Sequence, residues 1–254
     1  MSNTAPDTCR YGPSLVLVWL SALVAQAVIS LFELDYRWAE WLFQLEGGSW
    51  RLRTHWLLTD WIHEGGRSLS VALALACILL WLASGRVSRL YPHRRVLAYL
   101  ALAPLLSAGL VSLGKHTLGG DCPWSLQPFG GDQPYRSLLA QLLESGGGEC
   151  FPAGHASAGY AWLALGCAAV AVTPRLLPLG LGMPLLLGLV FGLGQQLRGA
   201  HFLSHDLWSL VLCWTVSVLL ARVMLNPATG WRGRMMPALN TGERDGYECV
   251  GGRR

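Results

Sequence analysis

Six long runs of apolar residues, separated by shorter polar stretches, dominate the pattern of this chain. They cover roughly 13–32, 68–84, 96–114, 156–173, 176–197 and 207–221, and none holds an Asp, Glu, Lys or Arg. A charge at mid-bilayer costs on the order of 2.5–3.5 kcal/mol on insertion scales, so its absence over such lengths points to lipid. About 20 apolar residues cross the hydrocarbon core as a helix. Only helices and closed barrels satisfy backbone groups there, and these runs are too long and too uniformly apolar for barrel strands. The last run is short and is expected to continue past Arg222, whose side chain can snorkel. The first ends in Phe32-Glu33-Leu34-Asp35, not at a small-residue cleavage site, so it reads as a retained helix and not as a signal peptide. The expected fold class is all-α: a polytopic membrane protein with six transmembrane helices in a bundle and an interfacial helical segment between the first and second.

The polar stretches orient the spans. The 85–95 connection carries Arg86, Arg89, Arg94 and Arg95 with no acid. Arg175 sits in the tight connection before the fifth run, and Arg222, Arg232 and Arg234 follow the sixth. The positive-inside rule makes these regions cytoplasmic. Both termini are then cytoplasmic, and 33–67, 115–155 and 198–206 share the opposite face. The 33–67 stretch holds Trp38, Trp41, Trp50, Trp56 and Trp61 among Arg and Glu, as suits one or two helices along the outer interface. It is expected to anchor the bundle or to wall a route by which lipid reaches the interior. Residues from Asn226 onward are polar and without periodicity. The domain reading is a membrane domain over 1–224 and a flexible cytoplasmic tail over 225–254.

Composition agrees. Of 254 residues, 52% are hydrophobic and 13% charged, against roughly a quarter charged in soluble domains. The formal net charge of +4 is carried by scattered Arg residues, and no nucleic-acid motif occurs, so that partner class is set aside.

Three clusters carry candidate chemistry. Lys115, the only Lys in the chain, stands at the outer end of the third span; taken alone it reads as a snorkelling anchor. Cys150-Phe151-Pro152-Ala153-Gly154-His155 immediately precedes the fourth span. Small residues at a helix start let backbone N–H groups approach an anion, and a His there can move a proton. The third cluster, Gln195 to Asp206, gathers Arg198, His201, His205 and Asp206 between two apolar spans. Ionisable residues are costly there, so a dense group points to a task. By the charge-derived topology all three clusters share one membrane face.

In order and topology these clusters resemble the signature of the type 2 phosphatidic acid phosphatase superfamily: K-x6-R-P, then P-S-G-H, then S-R-x5-H-x3-D, on a six-helix core. Lys115 opens the first motif and Pro123 stands at its Pro. Pro152-Ala153-Gly154-His155 matches the second with Ala for Ser, and His201 matches the nucleophile of the third. The resemblance extends from about residue 30 to 224. It departs at three places. Cys122 occupies the position of the first Arg and Gln195 that of the second, with Arg198 nearly one helical turn away. The acid expected four after His201 is His205, and Asp206 comes one later, a rotation of about 100° on a helix. Either Asp206 supports His201 from an irregular backbone or His205 takes over. Asp206 is favoured, because a carboxylate fixes an imidazole tautomer and steadies its cation.

The resemblance implies that His201 attacks phosphorus and becomes phosphohistidine while His155 protonates the leaving oxygen. Lys115, Arg198 and the N–H groups of Ala153 and Gly154 would hold the non-bridging oxygens. Water as acceptor makes a phosphatase; a second lipid makes a phosphotransferase. The family's range implies a phosphorylated membrane lipid: a polyprenyl diphosphate, lipid A, phosphatidylglycerophosphate or phosphatidate, in a bacterial inner membrane with the site facing the periplasm. A polyprenyl diphosphate or lipid A is favoured. The rival reading, prompted by the absent Arg residues, is a non-catalytic phospholipid-binding or transport protein that kept the fold. Cys122 and Cys150 lie near the two ends of one outer loop. In an oxidising periplasm a disulfide between them is favoured over two free thiols. Seven His invite a metal site, but no zinc-ligand spacing occurs, and the resemblance implies neither metal nor cofactor.

Overall fold

A computed structural model describes residues 14–144 and 148–225. The stretch expected as a tail lies, beyond Leu225, outside the described residues. Helix α1 (Leu15–Leu31) starts where the Ser14 hydroxyl accepts from the Leu17 N–H, 3.2 Å away. Helix α2 (Leu34–Leu45) follows at an angle of 62°, with Glu33 in the left-handed region at the bend. A wide π-helical stretch (Leu57–Gly65) then runs directly into α3 (Gly66–Ala83). Next come α4 (Arg94–Leu118) and the short α5 (Leu138–Glu144). Helices α6 (Gly154–Tyr160) and α7 (Ala164–Val172) join through one 3-10 turn. Helices α8 (Leu177–Leu197) and α9 (Leu203–Met224) are the last helices among the described residues. The described residues form no strand beyond a single bridge between Leu126 and Gln133.

Among the described residues five helical stretches are long and apolar enough to cross a membrane: Leu57–Ala83, Tyr91–Ser125, Gly154–Val172, Pro174–Leu197 and Leu203–Met224; the bent α1–α2 pair, taken as one span, makes a sixth. The outward Leu, Val and Trp side chains, Leu79, Leu113 and Leu186 among them, are exposed as a lipid-facing surface requires. The 33–67 stretch divides differently from the expectation. Its first part is a separate helix, α2, followed by a 3-10 turn over Arg51–Thr54; from Leu57 the chain is continuous with the second span. Asp60, His63 and Glu64 interrupt the apolar run at one end of that helix, which hid its continuity in the sequence.

The interior is built by α4, α6, α7 and α9 around Tyr99, Tyr160, Leu163, Cys167, Cys213 and Val218. Glycine brings α6 against α8: a Cβ on Gly159 would collide with the backbone of Gly188, and one on Gly188 with the ring of Tyr160. Close backbone approach is the usual source of helix association in lipid, where burial of apolar area supplies no drive. Polar pairs tie α1 to α9. The Trp19 indole donates to Thr215 Oγ1 at 3.0 Å and the Trp208 indole to Gln26 Oε1 at 2.9 Å.

A second, smaller core forms at one end of the bundle, where Ala39 of α2 meets Leu126, Phe129 and Phe202, with Tyr36, Phe43, Trp50 and Tyr135 around them. It fastens α2 over the turn between α8 and α9. The Trp38 indole donates to Gln196 Oε1 at 2.7 Å, and the buried Asp35 accepts from the Ser204 N–H at 2.9 Å. Helix α2 is therefore a structural partner of the turn that carries the third cluster.

Candidate functional site

The end of α4 and the start of α6 are brought together by their backbones and by sulfur. The Cys150 N–H donates to the Gly120 carbonyl at 3.0 Å and the Phe151 N–H to that of Gly119 at 3.2 Å. Gly120 has a φ of +110°, and a Cβ there would strike Phe151. A disulfide joins Cys122 to Cys150, with Cα atoms 5.4 Å apart. Lys115 thereby reaches across the first turn of α6: a Cβ on Gly154 would lie 3.7 Å from its Nζ.

His155, next along α6, lies face to face with His63, ring centroids 3.5 Å apart and planes 26° from parallel. Lys115, Gly154 and His155 line a cleft of about 410 Å³ between α3, α4 and α6, together with His63 and Arg67. The groups within electrostatic reach of His155 are His63, Lys115, Arg198 and Arg67. Ala153 contributes differently from expectation. It is fully buried, and its N–H donates to the His205 carbonyl at 3.3 Å. That donor is engaged inside the protein, so of the two backbone groups expected to meet an anion, Gly154 remains.

The third cluster sits on the α8–α9 turn. Gly199, φ +67°, packs against Trp50 and lets the chain reverse. Arg198, the C-cap of α8, is held from two sides. Its Nη1 donates to Gln195 Oε1 at 3.1 Å and its Nε to the Arg53 carbonyl at 2.8 Å. Gln195, at the position where the family motif has Arg, thus positions the Arg that stands three residues on. His201 is buried. Its pKa is held well below 6.5, first by burial and then by its neighbours His205, Lys115 and His155. A buried imidazole without a carboxylate partner stays neutral, the form in which a ring nitrogen is nucleophilic.

The residue facing His201 is His205, with their Nδ1 atoms 3.4 Å apart. Asp206, favoured from sequence for that place, points elsewhere. Gln196 Nε2 donates to its Oδ2, and its carboxylate packs where a Cβ on Gly192 would stand. Between His201 and Asp206 the backbone is irregular only at His201 and Phe202; from Leu203 α9 is regular, so Asp206 stands about 100° round from His205 and faces Gln196 instead of His201.

Sequence reasoning missed four residues. His63 and Arg67 reach the cleft from the second span, and Asp35 and Trp38 brace the third cluster. The i, i+4 spacing of His63 and Arg67 was a signal that they share a helix face. Among the described residues, no three His, Cys, Asp or Glu side chains gather as metal ligands would.

All three clusters fall within residues 93–228, over which the chain matches the family model of the PAP2 superfamily. No curated protein and no solved structure matches. That match takes in more than half of the chain and supports a phosphatase acting on a phosphorylated lipid. With its helical bundle and the three clusters in order, this chain belongs to the PAP2 superfamily.

Proposed function

We propose that this protein is an integral membrane phosphatase that hydrolyses phosphate esters or diphosphates of membrane lipids through a phosphohistidine intermediate. The observation that carries the reading is that Lys115 and His155 share one cleft and both lie within electrostatic reach of the buried His201. In the first step a ring nitrogen of His201 forms a bond to phosphorus and the bond to the leaving oxygen breaks. His155 gives that oxygen a proton. In the second step a water oxygen attacks, His155 takes its proton, and the N–P bond breaks to release phosphate. Lys115, Arg198 and the Gly154 N–H offset charge on the non-bridging oxygens. Most of the catalytic task is such placement of positive charge around a phosphoryl group.

The arginines of 85–95 and Arg175 favour a cytoplasmic side opposite the site, so the reaction is assigned to the outer headgroup level. A polyprenyl diphosphate or a lipid A phosphate is the favoured substrate. The test is phosphate release from a panel of phosphorylated lipids by the purified protein and His201→Ala, with products identified by mass. Release by the parent alone supports the reading. Equal release by both removes it, and transfer to a second lipid makes the protein a phosphotransferase. A phosphatase reporter fused after Arg94 is expected to be silent and one fused at Asp132 active; the reverse pattern would place the site in the cytoplasm.

A further inference from the structure

The family's first motif calls for an Arg at position 122, where this chain has a Cys already bonded to Cys150. A disulfide sulfur offers no positive charge, so the phosphoryl pocket lacks one guanidinium on the α4 side. The cleft that holds Lys115 and His155 carries another. Arg67, in the first turn of α3, lines the same cleft from a different helix. It is exposed and makes no ion pair among the described residues. No carboxylate lines the cleft. Glu64 pairs with His63 at 3.0 Å and Glu149 acts on Lys115, both from outside the cleft. Cations facing a cleft whose own walls hold no carboxylate suit an anion, and a guanidinium suits phosphate because its fork can donate two parallel bonds.

The local backbone supports the placement. His63 lies four residues before Arg67, so both face the cleft, and His63 stacks on His155. His63 belongs to the π-helical stretch Leu57–Gly65, a rare, widened form that is frequent at functional sites. Beyond Arg67 and Lys115 the lining carries no charge: Ser70 and Ser112 are followed along α3 and α4 by Val71, Val111, Ala108 and Pro104. Positive charge beside an uncharged, mostly apolar lining matches a phosphate attached to a hydrocarbon chain.

We propose that Arg67 binds the non-bridging oxygens of the substrate phosphate together with Lys115 and so replaces the guanidinium absent at position 122. This rests on the phosphatase reading given above. It makes the second span, outside all three motifs, a fourth contributor to the site.

The test measures two properties of the full chain, the parent beside Arg67→Ala and Arg67→Lys. One is kcat/KM on a phosphorylated lipid; the other is thermal stabilisation by orthovanadate, which needs no turnover. Arg67→Ala is expected to lose about 10²–10³-fold in kcat/KM, as for removal of one charge-stabilising donor. It should also lose most of the vanadate shift while melting like the parent without vanadate. Arg67→Lys should recover part of both, and added guanidinium should restore turnover to Arg67→Ala, which a merely structural role would not permit. Unchanged vanadate binding in Arg67→Ala overturns the proposal, as does a parent that vanadate does not stabilise. A parent that binds vanadate through Arg67 yet releases no phosphate sinks the phosphatase reading and leaves Arg67 as an anion site.

Discussion

The Nδ1 atoms of His201 and His205 stand 3.4 Å apart, both rings buried, so one nitrogen donates to the other and the tautomer of each depends on its neighbour. Where the family pattern places a carboxylate, this chain has an imidazole. Phe151 and Phe202 both meet the His205 ring edge-on, with centroids at 5.4 Å, and fix its orientation. The contact leaves Nε2 of His201 as the ring nitrogen turned away from His205.

His201→Ala is expected to abolish turnover, a fall of about 10⁴-fold or more, since the nucleophile is gone. His205→Ala should keep the nucleophile but lose its orienting partner, with a drop of about 10²-fold in kcat. Single-turnover phosphate release measures both, and acid-labile labelling of the parent, absent in His201→Ala, reports the phosphohistidine. Equal kcat in His205→Ala and the parent would show that the 3.4 Å contact has no catalytic role.

The depressed pKa of His201 also sets a pH dependence of stability. In the unfolded chain this His binds a proton near 6.5, while in the fold it resists protonation far below that value. The unfolded state therefore binds more protons in this window, and stability falls as pH drops below about 6.5. Above that value the group adds no slope. Melting curves of the parent and His201→Gln from about pH 5 to 8 should diverge only on the acid side, the parent falling more steeply. Parallel curves would contradict the burial argument.

Asp35 holds α2 to the first turn of α9 by accepting from the Ser204 N–H at 2.9 Å. Removing a carboxylate that satisfies a helix-start donor costs about 0.5–2 kcal/mol. Asp35→Ala is expected at the upper end, because the Ser204 N–H would remain buried and unpaired. Asp35→Asn, whose amide oxygen can still accept, should lose less. Because His201 and His205 flank this turn, Asp35→Ala should also lower kcat; denaturant melts and turnover on the same samples measure both effects.

The Cys122–Cys150 bond spans 28 positions and ties the ends of α4 and α6 together. In the chain-entropy picture, closing such a loop is worth about 3–4 kcal/mol. Cys122→Ser/Cys150→Ser should be less stable to denaturant by that amount and bind phosphate more weakly, as Lys115 and Gly154 lose their shared frame. Thiol labelling of these two residues should appear only after reduction; full labelling without reductant would rule the bond out.

Much of this protein was legible from the one-dimensional pattern. Crossing lipid forces every backbone group into helices, so uninterrupted apolar runs such as 96–114 and 176–197 foretold α4 and α8 to within a few residues. Motif spacing brought out Lys115, His155 and His201, because phosphoryl chemistry restricts which side chains can serve. Two kinds of information were not in the pattern. Polar residues near a helix end, such as His63 and Arg67, look the same whether they face headgroups or a cleft; only the packing of α3 against α4 and α6 decided that they line one cleft with Lys115. Rotational phase was also hidden. A single left-handed residue at Gly199 resets the angle at which α9 begins, and this turned His205 toward His201 and Asp206 toward Gln196. Sequence alone determined the spans and the chemical types, because solvent and reaction impose them locally. The tertiary structure decided which of those groups meet, because direction in space depends on contacts among residues far apart in the chain.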